Sequence, residues 1–380
     1  MRKFFAGLLG LCGLTLAAAE QEMPEKYWDF SKLTAAPAYK DATFPESQRE
    51  GMRAILFDGV PYKGKAAPVF AYIAYPKTAK PTGGFPGIVL VHGGGGTAFS
   101  DAVNLWTSNG YAVIAPDWYN QYPVAAWQKK GEKPSRPMEG GWRNDIPTNV
   151  QNLILAHSLL RSLPDVNPEK TAYVGLSWGS WYGAIVASLD HRFKGVIEIY
   201  CGDRTPARTR HPLIDGRFLH AAKVPMYWVC DTNDSNVTPE SLQLAWDETP
   251  TIYNKTLVRR LGHSHTGFKY PACFRMAAHF LKGEPNLPKV GKPAVNNGVA
   301  TAKLLERGKG VKKCIFVYTT DKTAEKSYQR VWKEIPAKLD GDTLSVKLPE
   351  GTAVGFFSVY DDISSRYRDC CGSSDLLKIK

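Results

Sequence analysis

Hydrophobic residues along the chain gather into short, nearly all-apolar runs separated by amphipathic stretches, from about residue 53 to 283. The runs fall at 53–57, 69–75, 87–91, 111–115, 172–176, 196–201, 226–230 and 256–261. Several are apolar at successive positions rather than at every second one, the pattern of strands covered on both faces in a parallel sheet. Between them lie helical patterns. The clearest opens at Asp145, an N-cap with Pro147 in the first turn, and runs to about residue 163. Val150, Leu153, Ile154, His157 and Leu160 share its apolar face, so His157 reads as a packed core histidine. Strand, helix, strand, helix with right-handed crossovers predicts an α/β fold with a doubly wound, mostly parallel sheet. Ligands of such sheets bind beyond the carboxyl ends of the strands.

Two stretches break the alternation. Residues 117–143 hold Trp118, Tyr119, Trp127 and Trp142 among prolines and lysines with little periodicity, as expected of a cap-like insertion. Residues 202–222 are basic and irregular. Beyond a Pro/Gly-rich linker at 285–292 the pattern changes to alternating strands with hairpin signals, at 314–319, 344–348 and 354–360. The organisation expected is a leader at 1–19, an N-terminal extension at 20–50 and a catalytic domain at 51–284. A small antiparallel, sandwich-like β domain at 293–380 completes it.

Composition changes this picture in three places. Arg2 and Lys3, an apolar stretch from Phe4 to Leu16 and Ala17-Ala18-Ala19 read as a secretory signal cleaved before Glu20, so the mature chain is expected outside the cytoplasm. No later segment is apolar over a bilayer-spanning length, so no stable membrane insertion is expected. Of seven cysteines, Cys12 lies in the leader, and the remaining spacing is not that of a disulfide-dense scaffold or a metal site. Formal charge is +12, with basic residues scattered rather than striped, which favours solubility over a nucleic-acid partner.

The chemistry collects just after apolar runs. "TAYVGLSWGSWYGA" sets Ser177 in a G-x-S-x-G turn between the run 172–176 and a helix beginning at Trp178. A serine there is exposed on a strained elbow and becomes a nucleophile when a histidine, oriented by a carboxylate, takes its proton. "GIVLVHGGGGTAF" follows an earlier strand, and its glycines let the backbone approach a substrate oxygen. Gly93 or Gly94, with Trp178, would form the oxyanion hole. "VPMYWVCDTNDSNVTPESL" offers Asp234, favoured over Asp231 because the loop must first turn before a carboxylate can face a histidine. "LVRRLGHSHTGF" offers His265, favoured over His263 because it precedes Thr-Gly and the final helix.

These segments resemble exported bacterial α/β-hydrolases of the dienelactone hydrolase-like and acetyl xylan esterase-like group, related to the prolyl oligopeptidase catalytic domain. The resemblance rests on "VLVHGGGGTAF", "AHSLLRSLPDVNPEK", "GLSWGS", "WVCDTNDSNVTPESLQ" and "GHSHTGF", with Ser180 where glycine is commoner and Phe268 where tryptophan is commoner. It implies a triad of Ser177, Asp234 and His265 and no cofactor. The expected activity is carboxylic-ester hydrolysis, with a small-molecule or glycan ester as substrate and Trp118, Tyr119 and Trp142 stacking on sugar rings. A short-peptide serine peptidase and a non-enzymatic glycan- or surface-binding protein are the alternatives.

Overall fold

The computed structural model describes residues 22–119, 145–200, 213–214, 216–323, 327–363 and 370–379. Residues 1–19, where a leader is expected, Trp127, Trp142 and most of the expected cap-like stretch lie outside them.

Nine strands form the main sheet: β1 (Tyr39–Asp41), β2 (Arg53–Asp58), β3 (Pro68–Ala74), β4 (Phe85–Val91), β5 (Ala112–Pro116), β6 (Val166–Leu176), β7 (Gly195–Ile199), β8 (Met226–Asp231) and β9 (Ile252–Val258). Their order is β1-β2-β3-β5-β4-β6-β7-β8-β9. From β5 to β9 all neighbours are parallel, and the β1–β2, β2–β3 and β3–β5 pairs are antiparallel. Five helices connect or follow the strands: α1 (Ser100–Ser108), α2 (Ile146–Ser162), α3 (Trp178–Leu189), α4 (Pro239–Glu248) and α5 (Pro271–Lys282). Residues of α2, α3 and α4 pack into one buried cluster and those of α1 and α5 into another, one on each face of the sheet. Every residue of β4, β5, β7 and β8 is buried, which accounts for the unbroken apolar runs.

The chain reverses direction across the sheet at β4. It steps to β5 on one side and then returns to β6 on the other, so a crevice opens between the carboxyl ends of β4 and β6. That crevice is where the glycine loop and Ser177 emerge.

The N-terminal segment is part of this body. Trp28 is buried against Phe218 and its indole N–H donates to the Pro147 carbonyl at the start of α2 (3.1 Å). The α2 cap reads as the sequence indicates, with the Asp145 carboxylate accepting the Thr148 N–H. Deeper in that helix, His157 is fully buried between Asp190 (2.7 Å) and the Thr171 hydroxyl (2.8 Å), its ring stacked on Phe193. Burial lowers its pKa to about 4, against the attraction of Asp190. A chain unfolded at the same pH protonates this histidine near 6.5, so the folded state refuses a proton that the unfolded state accepts. The contribution is fully present above about pH 6.5 and is lost as pH falls to about 4, a loss on the order of 3 kcal/mol. Urea midpoints measured across this window should fall more steeply for the wild type than for His157→Gln, and parallel slopes would refute the assignment.

After α5 and Gly283 come two antiparallel sheets in the C-terminal region. One joins β10 (Lys289–Val290), β11 (Ala294–Asn296), β12 (Val299–Glu306), β15 (Lys338–Asp340) and β16 (Thr343–Lys347). The other joins β13 (Lys313–Thr319), β14 (Lys333–Pro336), β17 (Val354–Asp362), β18 (Cys370–Ser373) and β19 (Leu377–Lys378). Ala300, Leu304, Phe316, Leu344, Phe357 and Val359 form their shared core. This module lies against β9 and α4: the Thr256 hydroxyl donates to Cys371 O (2.6 Å), and Leu376 N–H donates to the Gln243 side chain (2.8 Å).

Candidate active site

Ser177 follows β6 with φ 56° and ψ −115°, a conformation that L-residues rarely adopt. Sterics explain the glycines around it. A Cβ on Gly175 would lie 2.4 Å from the Gly179 carbonyl oxygen, and one on Gly179 would lie 2.3 Å from the Val91 carbonyl oxygen. Only glycine lets β6, α3 and β4 come this close. Ser180, in the place where glycine is commoner, ties the elbow to the next strand. Its hydroxyl lies 2.9 Å from Gly175 O and 3.0 Å from Ile199 O, and it accepts the Ile199 N–H (2.9 Å).

His263 lies between Ser177 and Asp234. Its Nε2 is 2.8 Å from the Ser177 hydroxyl and its Nδ1 is 2.6 Å from Asp234 Oδ2. A carboxylate can only accept here, so Nδ1 carries the proton and Nε2 is free to accept from the serine. The other oxygen of Asp234 accepts the N–H groups of Asn236 (2.7 Å) and Val237 (3.2 Å), which fixes the carboxylate in its loop. Tyr200 stacks on the imidazole at 4.8 Å and 28°, with its own backbone at φ 75°. Burial raises the Tyr200 phenol well above its ordinary value, so it stays neutral against the ring.

The sequence expectation placed His265 in this position, and the structure corrects it to His263. The reason lies in β9, which ends at Val258 rather than at 261. The turn then comes early, through Arg260 (φ 56°) and Gly262 (φ 78°), and delivers His263 to the serine. His265 instead accepts the Gly93 N–H on Nε2 (3.1 Å) and sets its ring against Phe99. Burial lowers its pKa to about 3, with the neighbouring His92 adding to the shift. Asp231, the alternative acid, has a structural place. Its two oxygens accept the Asn233 N–H (2.9 Å) and the Gly262 N–H (2.8 Å), which pins the acid loop to the histidine loop. Burial raises its pKa despite those bonds.

The expected oxyanion donors are narrowed. Gly93 is excluded because its N–H is already given to His265. Among the described residues, the N–H groups of Gly94 and Trp178 make no such bond. A Cβ on Gly94 would lie 2.6 Å from the Trp178 indole, which sets the two donor residues side by side. Behind them, buried His92 contacts Gly93 O (2.8 Å) and Asp117 (3.1 Å), and the Thr97 hydroxyl and the Tyr119 N–H also converge on Asp117.

The aromatic expectations are also corrected. Trp118 and Tyr119 are buried, and the Trp118 indole donates to the His92 carbonyl while its ring stacks on His92. Trp118 thus lies beneath the glycine loop, and the Tyr119 hydroxyl lies beside Gly94. Trp142 lies outside the described residues. Among the described residues, the half-buried aromatics beside Ser177 are Trp178 and Trp181, stacked edge to face on the first turn of α3. Their signal was present in "SWGSW", where two tryptophans three apart share a helix face.

Residues 69–254 match the dienelactone hydrolase family model, a span that includes the glycine loop, Ser177 and Asp234 and ends before His263. No curated protein sequence matches the chain. The acetyl xylan esterase from Paenibacillus sp. R4 aligns with a TM-score of 0.52 at 17% identity, over 69% of this chain and 95% of that one. Acetyl xylan esterase 1 from a Thermoanaerobacterium species aligns at 0.46 and 16%, over 68% and 92% of the two chains. A puromycin-hydrolysing peptidase of Mycobacterium tuberculosis aligns at 0.46 and 18%, over 62% and 40%. The fold is that of an α/β-hydrolase. Within that class the chain resembles the dienelactone hydrolase-like and acetyl xylan esterase-like group, and the family match supports a hydrolase.

Proposed function

We propose that the protein is a serine carboxylesterase that removes short acyl groups, acetyl above all, from carbohydrate esters. The observation that carries the reading is the unbroken chain of hydrogen bonds from Ser177 through His263 to Asp234, built on a strained elbow. Ser177 Oγ attacks the ester carbonyl carbon and passes its proton to His263 Nε2. The developing oxyanion takes hydrogen bonds from the Gly94 and Trp178 N–H groups, at the N-terminus of α3. Collapse breaks the bond to the alcohol oxygen, which leaves with the proton from His263. Water then attacks the acyl-serine with His263 as base, and the acid departs as Ser177 recovers its proton. Asp234 stabilises the imidazolium in both halves. The Trp178–Trp181 pair beside the nucleophile supports a carbohydrate alcohol, since indoles stack on sugar faces.

Hydrolysis of p-nitrophenyl acetate, butyrate and octanoate by the wild type tests this. Activity should fall as the acyl chain lengthens, and acetate should be released from acetylated xylan. Preference for octanoate, or for a peptide amide over every ester, would reject the short-acyl reading. We also propose that the chain acts after export. N-terminal sequencing of the protein from the cell exterior or periplasm should begin at Glu20, and an intact Met1 terminus in the cytoplasm would reject it.

A further inference from the structure

We propose that His265 is a positioning residue of the oxyanion hole, a clamp that holds the glycine loop through the Gly93 N–H. The proposal rests on the reading of Ser177 as nucleophile. Ser264 is fully extended (φ −155°, ψ 166°), and side chains two apart on an extended segment point the same way. His263 and His265 therefore leave the segment on one side. The first reaches Ser177 and the second reaches the loop after β4.

The loop is fitted to that second ring. A Cβ on Gly96 would lie 2.6 Å from His265 Nε2, and Gly96 N–H closes a turn onto Gly93 O (3.1 Å). A Cβ on Gly93 would lie 3.0 Å from the Ser177 Cβ, so Gly93 rests directly against the nucleophile. Phe99 backs the imidazole at 4.7 Å and 67°. An acceptor at Nε2 requires the proton on Nδ1, and burial keeps the ring neutral, so it presents a lone pair rather than a competing N–H. Without that acceptor, the buried Gly93 N–H loses its partner and the loop carrying Gly94 is free to shift against Ser177. Oxyanion stabilisation depends on donors held within a few tenths of an ångström, so a loosened loop costs turnover rather than ground-state binding.

The test compares His265→Gln, which offers an acceptor near the Nε2 position, with His265→Leu, which fills the space without one. Steady-state kinetics on p-nitrophenyl acetate are read alongside the affinity of a trifluoromethyl ketone that forms a tetrahedral adduct on Ser177. His265→Leu should lower kcat by about 10- to 100-fold with KM within about twofold, and analogue affinity should fall in step with kcat/KM. His265→Gln should recover most of both. Equal kinetics for the two variants, or a fall in kcat that analogue affinity does not follow, would overturn the clamp. Ser177→Ala, run in parallel, separates the two levels. If it is inactive while His265→Leu matches the wild type, only the clamp fails. If it keeps wild-type turnover, the nucleophile assignment fails and takes the clamp with it.

Discussion

His263→Ala is expected to lower kcat on p-nitrophenyl acetate by about 10⁴-fold or more, as much as Ser177→Ala, and the double variant should be no worse than either single one. The non-additivity follows from the geometry. Ser177 Oγ has its base at 2.8 Å, and a hydroxyl without that base gains little from remaining. Asp234→Asn should cost a similar factor for a different reason. An amide in place of the carboxylate 2.6 Å from Nδ1 stabilises the wrong tautomer and leaves the imidazolium uncompensated. All four variants should keep the KM of the wild type within a few-fold, since none removes a surface that holds ground-state ester. The comparison with His265→Ala is the sharpest part. If His263→Ala kept more than about a hundredth of wild-type kcat while His265→Ala lost it all, the base would be His265 and the hydrogen-bonded arrangement would not be the working one.

The fold was legible because the core strands carry their environment in their composition. β4 and β8 are buried at every position, so "FPGIVLV" and "MYWVCD" announce both-face burial without any period. The α2 helix was legible for the opposite reason, through its capping aspartate and a regular apolar stripe. The antiparallel edge was less so. β1 is only three residues long and exposed throughout, held to β2 by its backbone ladder and by Arg53, which reaches Asp41 and Tyr39, so it leaves no apolar pattern to read.

At the site, Ser177 and Asp234 were legible because steric need and loop chemistry leave traces in sequence. The glycines at 175 and 179 are forced by carbonyl approaches, and Asp234 closes an Asx turn onto Asn236 that belongs to the loop after β8. The choice between His263 and His265 left no such trace. It depended on where β9 stopped, and "TLVRRL" remains apolar-polar mixed past the strand end, so the positive-φ turn at Arg260 was invisible. Trp118 misled for a related reason. An aromatic at the start of an irregular stretch looks like a binding surface, whereas its indole is spent on the His92 carbonyl beneath the glycine loop.

Arg330→Ala is expected to destabilise the protein by about 3–5 kcal/mol, the second largest effect we anticipate. Arg330 lies in the C-terminal module with its side chain almost wholly buried, and its guanidinium pairs with Glu240 in the first turn of α4 (2.5 Å). It also donates to the Thr323 carbonyl (3.1 Å). Truncation leaves the Glu240 carboxylate half enclosed without its cation, and that uncompensated charge is the larger part of the cost. The damage should reach the active site along one short path. Asn233, next to Asp234, donates from its side chain to the carbonyls of Tyr328 (3.1 Å) and Arg330 (2.9 Å). The acid loop is thus held from outside by the module and from inside by Asp231. Thermal melts of Arg330→Ala should therefore show a lowered Tm, and kcat should fall while the variant is still folded. Arg330→Lys, which keeps a charge but not the separate guanidinium donors that reach Glu240 and Thr323, should lie between it and the wild type. An unchanged Tm would mean that the module is not coupled to α4 through this pair. A lowered Tm with intact kcat at temperatures below the melt would mean that Asp231 alone suffices to hold the acid loop in place.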